Sequence, residues 1–403
     1  MNILFVHFLP IAPFYGGVER VTLLLSLELK KRGHNIEFLS LTSQNSDIAY
    51  NTQNTFVQHY LPIDELSPEE FGKELHKIHH DFNTELIIVQ GTNQEERNFV
   101  KHSPQNIKAV TVLHNQPYPI LGKERKVKGL TPLGYLQIKG KFLTLLGRFA
   151  PRIFRKLYLA NMNKIYEDFL YSSENFILLS EKFRDRFIKH SPDSWAEKTI
   201  AINNPITFSI EESKTDDSQK ENIVLVVARL SNPQKNITGF IDVWKIFQEQ
   251  HPDWKAIVIG SGEHENYIRQ YVAKRKVENI SFIGPRNDVQ DFYRRSKIFC
   301  MTSSYEGWPM VLMETMAFGC VPVVYDTFEA VHDILAPVEI EGEMLSPGII
   351  VSPFKKDLMA EAMGELATDE LLLGTMAEAG RRRINDYTVE KIVDQWEMLF
   401  DRI

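Results

Sequence analysis

Two glutamates, Glu306 and Glu314, lie eight residues apart in the stretch SSYEGWPMVLMETMAFGCVPVVYD, residues 303–326. A carboxylate accepts two hydrogen bonds at once, and a vicinal diol, such as those of ribose and hexoses, offers two donors. The pair therefore favours two hydroxyl-binding acids. The alternative is that Glu306 is an ordinary loop acid and Glu314 an exposed helix residue, although an unpartnered charge in the apolar run VLMETMAF would be costly.

The backbone between the two glutamates is suited to bind an anion. IFCMTSS predicts a strand, and Pro309 stands where the first turn of a helix favours proline, so Glu306 falls in the connecting loop and Glu314 inside the helix. The N-terminus of a helix presents free N–H groups and the positive end of the helix dipole. Gly307 would permit close approach of a ligand to the backbone. The segment therefore predicts a diphosphate site between two hydroxyl-binding acids.

Two cations in VARLSNPQKN could serve the same anion. Arg229 ends an apolar strand, at the edge where ligands bind in parallel sheets, and Lys235 follows a short turn before a helix. A guanidinium and an ammonium together could neutralise a diphosphate leaving group. Taken singly, a strand-end arginine is more often part of a structural salt bridge, and a loop lysine is more often solvated.

The first half of the chain offers weaker candidates. Gly16 and Gly17 precede the first helix, where glycines let a ligand approach the helix N-terminus. His114 ends the strand AVTVLHN and could donate to a sugar hydroxyl or a phosphate, or could be a structural capping group. Neither the first loop nor GSGEHENY, which begins at Gly260, has the three-glycine fingerprint of a dinucleotide site.

The elements that must position these residues follow one pattern in both halves. Short apolar strands alternate with helices, which predicts parallel sheets covered on both faces. The polar stretch at about 207–222 reads as a linker. We therefore expect an α/β chain with two Rossmann-like domains, 1–206 and 207–386, whose parallel sheets face across a cleft, and a C-terminal helix at 387–403 that packs on either domain.

Length and composition limit the class of protein. The chain has 403 residues, which is more than one compact core usually holds, and its formal net charge of −7 gives no global nucleic-acid signature. Cys300 and Cys320 lie in apolar stretches, as buried thiols of a reducing compartment would. The start MNILFVHFLP has no basic n-region, and no run approaches the roughly 20 apolar residues of a spanning helix. We therefore expect a cytoplasmic location.

Four segments stand out together: EGWPMVLMETMAFGCVPVV, VARL with its following lysine, GGVER and TVLHN. As an ordered set they resemble the family 4 retaining glycosyltransferases of the GT-B fold, and the resemblance covers nearly the whole chain. The resemblance implies that Glu306 contacts the donor sugar, Glu314 the nucleotide ribose, Arg229 and Lys235 the diphosphate, and that His114 lies beside the transferred sugar. These residues except Glu314 would be catalytic. The other donor-binding residues that we expect are Gly16, Gly17, Asn204, Gly260, Pro285, Arg286, Gly307, Trp308, Pro309, Met310 and Val311.

The implied reaction transfers a sugar from a nucleotide-diphosphate donor, most often a UDP-sugar in this family, with retention of configuration. Its acceptor would be a saccharide or a lipid-linked saccharide, as in cell-surface polysaccharide biosynthesis. The resemblance also implies that the C-terminal helix at 387–403 crosses back to pack on the N-terminal domain. The resemblance implies front-face attack and no required cofactor or divalent metal. Two departures are Asn236 after the lysine, where glycine is common, and Trp308-Pro309 in place of a frequent Phe-Gly pair. Because proline lacks an N–H, Pro309 removes one of the backbone donors that the resemblance implies at the phosphate.

A basic, apolar insert at 119–164 contrasts with the rest of the chain. It contains eleven Lys or Arg and one acidic residue, Glu124, whereas the whole chain has a net charge of −7. Such a mixture suits an anionic membrane surface, and would make the protein peripheral on the inner face of the cytoplasmic membrane. The alternative is a basic helical face that lines an acceptor site.

Three other classes compete with this interpretation. A nucleotide-sugar epimerase on the same fold would share the diphosphate site but act on the donor alone. A non-catalytic sugar-binding protein would not need the set Arg229, Lys235, Glu306 and Glu314. An NAD-dependent dehydrogenase is disfavoured because the glycine fingerprint is missing.

Overall fold

The computed structural model describes residues 1–11, 16–43, 55–104, 106–119, 151–213 and 215–403. The described residues form two compact units. The first unit takes its residues from 1–118, 151–207 and 388–403, and the second contains Phe208–Tyr387. Most of the basic, apolar insert, including Glu124, lies outside the described residues.

The first unit is built on a parallel sheet. Its described strands have the order β3-β2-β1-β4-β5-β6-β7, so the chain moves outward from β1 to one edge and then outward from β1 to the other. The point between β1 and β4 is a topological switch point, where ligands bind in open α/β sheets. The strands are β1 (Asn2–His7), β2 (Asn35–Ser40), β3 (Val57–Tyr60), β4 (Leu86–Val89), β5 (Lys108–Leu113), β6 (Asn175–Leu178) and β7 (Thr199–Ala201).

Five described helices connect these strands, and their ends follow local sequence signals. Gly33, just after the first helix, has φ +91°, a conformation that favours glycine. The second helix begins with a capping box in which Ser67 and Glu70 bind each other's backbone N–H groups. The helices are α1 (Gly17–Lys31), α2 (Pro68–Phe82), α3 (Gln94–His102), α4 (Pro151–Ser172) and α5 (Glu181–His190).

The second unit repeats the architecture with a described six-stranded parallel sheet of order β10-β9-β8-β11-β12-β15. Its switch point lies between β8 and β11. A separate antiparallel hairpin pairs β13 with β14. The strands are β8 (Glu221–Val227), β9 (Lys255–Ile259), β10 (Ile280–Phe282), β11 (Ser296–Met301), β12 (Val321–Tyr325), β13 (Val338–Ile340), β14 (Glu343–Leu345) and β15 (Ile349–Val351).

The helices of the second unit cover both faces of its sheet. The core gathers Trp244, Phe240 and Phe247 against strand residues such as Val224 and Ile298, all almost fully buried. The indole N–H of Trp244 donates to the Glu278 carbonyl at 2.9 Å, so the polar atom of this large side chain is satisfied. The helices are α6 (Asn232–Lys235), α7 (Ile237–Gln250), α8 (Glu265–Arg275), α9 (Val289–Arg295), α10 (Met310–Ala317), α11 (Val331–Ile334), α12 (Lys356–Thr368) and α13 (Glu370–Arg383).

The last helix, α14 (Val389–Phe400), belongs to the first unit. The guanidinium of Arg32, which follows α1, donates to Asp394 at 2.6 Å and to Glu397 at 2.7 Å. The ring of Phe400 meets His34 edge to face, with centroids 5.7 Å apart. The helix is therefore held on α1 by both ionic and apolar contacts.

The expected fold class is confirmed, and so are the strands predicted from apolar runs. Three strands went unpredicted: β3 and the two strands of the hairpin. The sequence of β3, VQHY, contains polar residues because β3 is the half-buried edge strand of its sheet. Among the residues that the structure describes, no helix has the length and apolar character needed to span a membrane.

Candidate functional site

The carboxyl edge of the second sheet brings together the residues that the sequence singled out. Arg229 follows β8, and Ser303 to Glu306 follow the neighbouring strand β11, so both groups lie at the switch point. The backbone N–H of Ser304 donates to the Gln234 carbonyl at 2.7 Å, which ties the loop after β11 to helix α6. Residues distant in sequence are thereby fixed at one edge.

Lys235 and Glu306 form an ion pair at this edge. The Lys235 ammonium donates to Glu306 Oε1 at 2.7 Å, and the side chains are 20% and 7% exposed. Lys235 is the last residue of the one-turn helix α6, not a residue of a loop, and Asn236 leaves that helix with φ 49°. The simple alternatives, a solvated lysine and an ordinary loop acid, are therefore wrong. The cation neutralises a buried acid beside the expected phosphate position.

The helix that contains Glu314 begins without a side-chain cap. Helix α10 starts at Met310, and Pro309 occupies the N-cap position with no side-chain hydrogen bond. The sequence placed Pro309 in the first turn, one residue too far along the helix. An uncapped N-terminus leaves backbone N–H groups for a ligand. Gly307 and Met310 are buried beside it, and Val311 is partly exposed.

Trp308 has a packing role in this loop. Its indole N–H contacts the Met313 sulfur at 3.3 Å, and its ring meets Tyr387 edge to face at 5.3 Å. The side chain is 5% exposed. Trp308 therefore orders the turn before α10, and any contact that it makes with a ligand would come from its backbone.

Glu314 is deeply buried in α10. It is 3% exposed, and its Oε2 accepts a hydrogen bond from the Tyr293 hydroxyl at 2.9 Å. The alternative of an exposed helix residue is wrong. Burying a carboxylate without hydrogen-bond donors costs free energy, and the Tyr293 phenol supplies one such donor.

Arg229 is exposed, and its Nη2 donates to Gln234 Oε1 at 3.1 Å. Within the described ranges no carboxylate lies in salt-bridge distance of its guanidinium, so a structural salt bridge is not its role there. The neighbouring Tyr305 has its pKa raised by burial and by the charge of Glu306, while Arg229 opposes the shift. The side chains of Arg229, Tyr305 and Glu306 thus interact electrostatically.

The remaining candidates of this unit differ in role. Gly260 has φ +132°, and a Cβ there would lie 2.1 Å from the Ala228 carbonyl oxygen, so close backbone packing already requires glycine. Pro285 and Arg286 follow β10. Arg286 binds Asp288 through two hydrogen bonds of 2.7 and 2.5 Å, and its side chain is 44% exposed.

The carboxyl edge of the first sheet is more acidic than the sequence implied. Gly16 is the N-cap of α1, and a Cβ at this position would lie 2.9 Å from Glu19 Oε2. Glu19 Oε1 lies 3.8 Å from His7 Nε2. The positive end of α1, which starts at Gly17, therefore already faces a carboxylate. An anionic ligand would be less favoured here than at α10.

His114 is a neutral, partly buried side chain. Its Nε2 lies 2.5 Å from Gln90 Oε1. Burial, with a smaller contribution from His7, lowers the pKa of His114 to about 3. The imidazole therefore carries no charge near neutral pH. Asn204 is buried in the segment that follows β7.

Comparison with known proteins finds a family match over the segment that contains this geometry. The model of the glycosyl transferases group 1 matches residues 208–383, which contain the whole set Arg229, Lys235, Glu306 and Glu314. An uncharacterized glycosyltransferase of Haemophilus influenzae is 24% identical over 386 residues, 95% of each chain. The chain is a glycosyltransferase of the GT-B fold.

Two further relatives support the assignment. The amylovoran biosynthesis glycosyltransferase AmsD of Erwinia amylovora is 29% identical over 205 residues, 50% of this chain and 55% of AmsD. The crystal structure of Anabaena Alr3699/HepE in complex with UDP superposes with a TM-score of 0.72 at 17% identity, covering 100% of both chains. The fold of the glycosyltransferase is thus shared over its full length.

Sequence reasoning missed several polar residues of the glycosyltransferase. Tyr293, Gln90, Glu19 and Glu96 contact or neighbour site residues, yet single-sequence patterns give no sign of their partners. Glu96 is fully buried, burial raises its pKa, and it accepts hydrogen bonds from the N–H groups of Phe8 and Asn93. In the described part of the chain no three His, Cys, Asp or Glu side chains are grouped as metal ligands.

Proposed function

We propose that the chain is a family 4 retaining glycosyltransferase that transfers a sugar from a UDP-sugar to a saccharide or lipid-linked saccharide acceptor in cell-surface polysaccharide biosynthesis. One arrangement carries the proposal: the Lys235–Glu306 ion pair stands beside the uncapped N-terminus of α10, with buried Glu314 one turn further on. The structures of HepE with UDP and with UDP-glucose, and the amylovoran pathway of AmsD, support the donor and the process.

In this proposal the domain expected at 207–386, which corresponds to the second unit, binds the donor. Amide groups at the start of α10, Arg229 and Lys235 hold the diphosphate and stabilise the charge that develops as it departs. Glu306 binds sugar hydroxyls and Glu314 the ribose diol, since carboxylates are acceptors for paired donors. The leaving phosphate oxygen accepts the proton of the attacking hydroxyl, so retention of configuration needs no carboxylate nucleophile from the protein.

The domain expected at 1–206, which corresponds to the first unit without its C-terminal helix, is the acceptor-side domain in this proposal. His114 would lie beside the transferred sugar and, being neutral, would act through hydrogen bonding and not as a charge. Gly16, Gly17 and Asn204 complete the expected set. Glu19 at the start of α1 makes this edge better suited to neutral hydroxyls than to phosphate.

We further propose that the protein works in the cytoplasm, peripherally on the inner face of the cytoplasmic membrane. The N-terminal part of α4 supports this idea, because Arg152, Arg155 and Lys156 are exposed next to Ile153 and Leu157, which are 55% and 54% exposed. Basic residues mixed with apolar ones favour anionic lipid. The protein should co-sediment with phosphatidylglycerol vesicles at low salt and not with phosphatidylcholine vesicles. Equal recovery with both lipids would refute the idea.

The reaction is tested by measuring nucleoside diphosphate release from UDP-, GDP- and ADP-sugars with and without saccharide acceptors. A thermal-shift screen of the same donors first identifies the nucleotide, because a bound ligand stabilises the folded state by mass action. Acceptor-dependent release supports the transferase. Turnover of the donor without an acceptor would indicate an epimerase, and binding without turnover a non-catalytic protein. Full activity in EDTA is expected if no divalent metal is required.

A further inference from the structure

The second acid of the site, Glu314, has a different kind of partner from the first. Glu306 is paired with the cation Lys235, whereas Tyr293 donates a neutral hydrogen bond to Glu314. A phenol O–H engages one lone pair of a carboxylate, and a carboxylate has further lone pairs that can accept. The hydrogen bond from Tyr293 to Oε2 is therefore compatible with Glu314 also accepting ligand hydroxyls.

Tyr293 is held in a fixed position. It is fully buried near the end of α9, three residues before β11 begins. Its ring stacks on Phe318 with centroids 5.8 Å apart and planes 14° apart. The Arg294 guanidinium lies 4.9 Å from the same Phe318 ring, and Phe208 meets it edge to face at 5.5 Å. The hydroxyl of Tyr293 therefore has one direction available to it.

Phe318 connects the packing around Tyr293 to the helix that contains Glu314. Phe318 is the C-cap residue of α10, and Glu314 lies in the same helix four residues earlier. Stacking on Phe318 and hydrogen bonding to Glu314 thus attach Tyr293 to α10 at two points. A carboxylate held in this way has its oxygens fixed before a ligand binds, which lowers the entropic cost of binding a diol.

We propose that Tyr293 is a positioning residue that fixes the Glu314 carboxylate for the ribose diol of the donor nucleotide. This inference rests on the proposed function, since it takes Glu314 to be the ribose acceptor. It predicts that the Tyr293 hydroxyl matters only for ligands that have ribose hydroxyls, because the phenol acts through Glu314. A purely structural tyrosine would affect all ligands of the site alike.

The test is a cycle of two proteins and two ligands measured by isothermal titration calorimetry. UDP and 2′,3′-dideoxy-UDP are titrated into the wild type and into Y293F, which keeps the ring and its stacking. If GDP or ADP stabilises the wild type better, that nucleotide and its dideoxy form are used. Because the loss of a hydrogen bond to a charged group can weaken binding by about tenfold, Y293F should bind UDP about tenfold more weakly than the wild type. Its affinity for the dideoxy ligand should change less than about twofold by the same reasoning.

The matched control is Y271F. Tyr271 donates to the Asp242 carboxylate at 3.0 Å in the same unit, so this variant removes a similar hydrogen bond outside the candidate site. Y271F should bind both ligands like the wild type. A second comparison uses the E314Q background, in which no buried charge is left without its donor. There, Y293F should cause no further loss of UDP affinity.

Each result separates this inference from the proposed function. Equal losses for both ligands in Y293F, or unchanged discrimination in a folded Y293F protein, would overturn the positioning role and leave the transferase intact. A further loss of UDP affinity in E314Q/Y293F would also overturn it. If the wild type binds both ligands equally, the ribose assignment of Glu314 fails and the inference fails with it.

Discussion

At the scale of single residues, the second unit stabilises two buried carboxylates in different ways. Two glutamates are buried at one sheet edge, Glu306 with a cation and Glu314 with a phenol. Burying a carboxylate costs several kcal/mol unless donors satisfy it, so these partners stabilise the buried acids. The partners are 71 and 21 residues distant in sequence, which no local pattern can reveal.

We expect K235M to lose both activity and stability. The substitution leaves Glu306 buried without its cation, and we expect the free energy of unfolding to fall by about 2 kcal/mol because the pair is partly exposed. Turnover should fall at least about tenfold because the cation also stabilises the leaving diphosphate. Urea unfolding and steady-state kinetics measure the two effects.

The double variant K235M/E306Q separates the two effects. It removes the unpaired charge, so its unfolding free energy should recover most of the loss while its activity stays low. Recovery of activity together with stability would show that Lys235 has only a structural role.

Buried histidines should make the protein acid-sensitive. Burial, helped by His76, lowers the pKa of His79 to about 4, and its Nδ1 lies 3.1 Å from the Thr84 hydroxyl. Between about pH 6.5 and 4, His79 binds a proton in the unfolded chain but not in the folded chain. The free energy of unfolding should therefore fall with decreasing pH in this window, by up to ~1.4 kcal/mol per pH unit from this group. His114 acts in the same direction.

The variant H79Q should flatten this dependence. Glutamine can still bond to Thr84 but takes up no proton, so the slope of unfolding free energy against pH below 6.5 should decrease. H80Q, at an exposed position that does not contribute to the shift of His79, is the control and should change the slope little. An unchanged slope in H79Q would show that His79 is protonated as easily in the folded chain as in the unfolded chain.

At the scale of elements, short apolar runs were sufficient to predict most strands. VPVVY and LIIV are buried at every position, as expected for central strands of a parallel sheet. The edge strand β3 and the β13–β14 hairpin were missed because their residues are largely exposed or partly exposed, and so carry no apolar run.

The sequence alone left open which domain α14 packs on. In the structure, Arg32 makes polar contacts with this helix. R32A removes hydrogen bonds to Asp394, Glu397 and the Glu390 carbonyl. We expect a loss of about 1 kcal/mol in stability, since the partners are partly exposed. Hydrogen exchange of amides in Val389–Phe400 should become faster, because the helix loses its ionic attachment.

K73A is the control for this variant. It breaks an exposed ion pair between Lys73 and Glu69 within one helix and should leave exchange in α14 unchanged. If R32A also leaves this exchange unchanged, the apolar face of α14 is enough to hold it.

At the scale of the whole molecule, both units share one strand order around a switch point. In each, the chain begins in the middle of the sheet and winds outward twice. This order places Arg229, Lys235 and Glu306 at one edge, although the two cations come from the β8–β9 connection and Glu306 comes from the β11–β12 connection. The alternation of strands and helices predicted the fold class, and the rule that ligands bind at the carboxyl ends of parallel strands predicted the edge of the sheet where these residues lie. The partners of the acids depended on packing that only coordinates show.

The most direct test of the central claim is the affinity of UDP for the wild type, E314Q and E343Q. The central claim is that the carboxyl edge of the second sheet binds a nucleoside diphosphate, with Glu314 as an acceptor for its ribose. E343Q changes an exposed glutamate of β14 and serves as the control. Calorimetric titration should show binding by the wild type and E343Q, and binding by E314Q that is at least about tenfold weaker, or about 1.4 kcal/mol. Equal affinity of all three proteins would contradict the account.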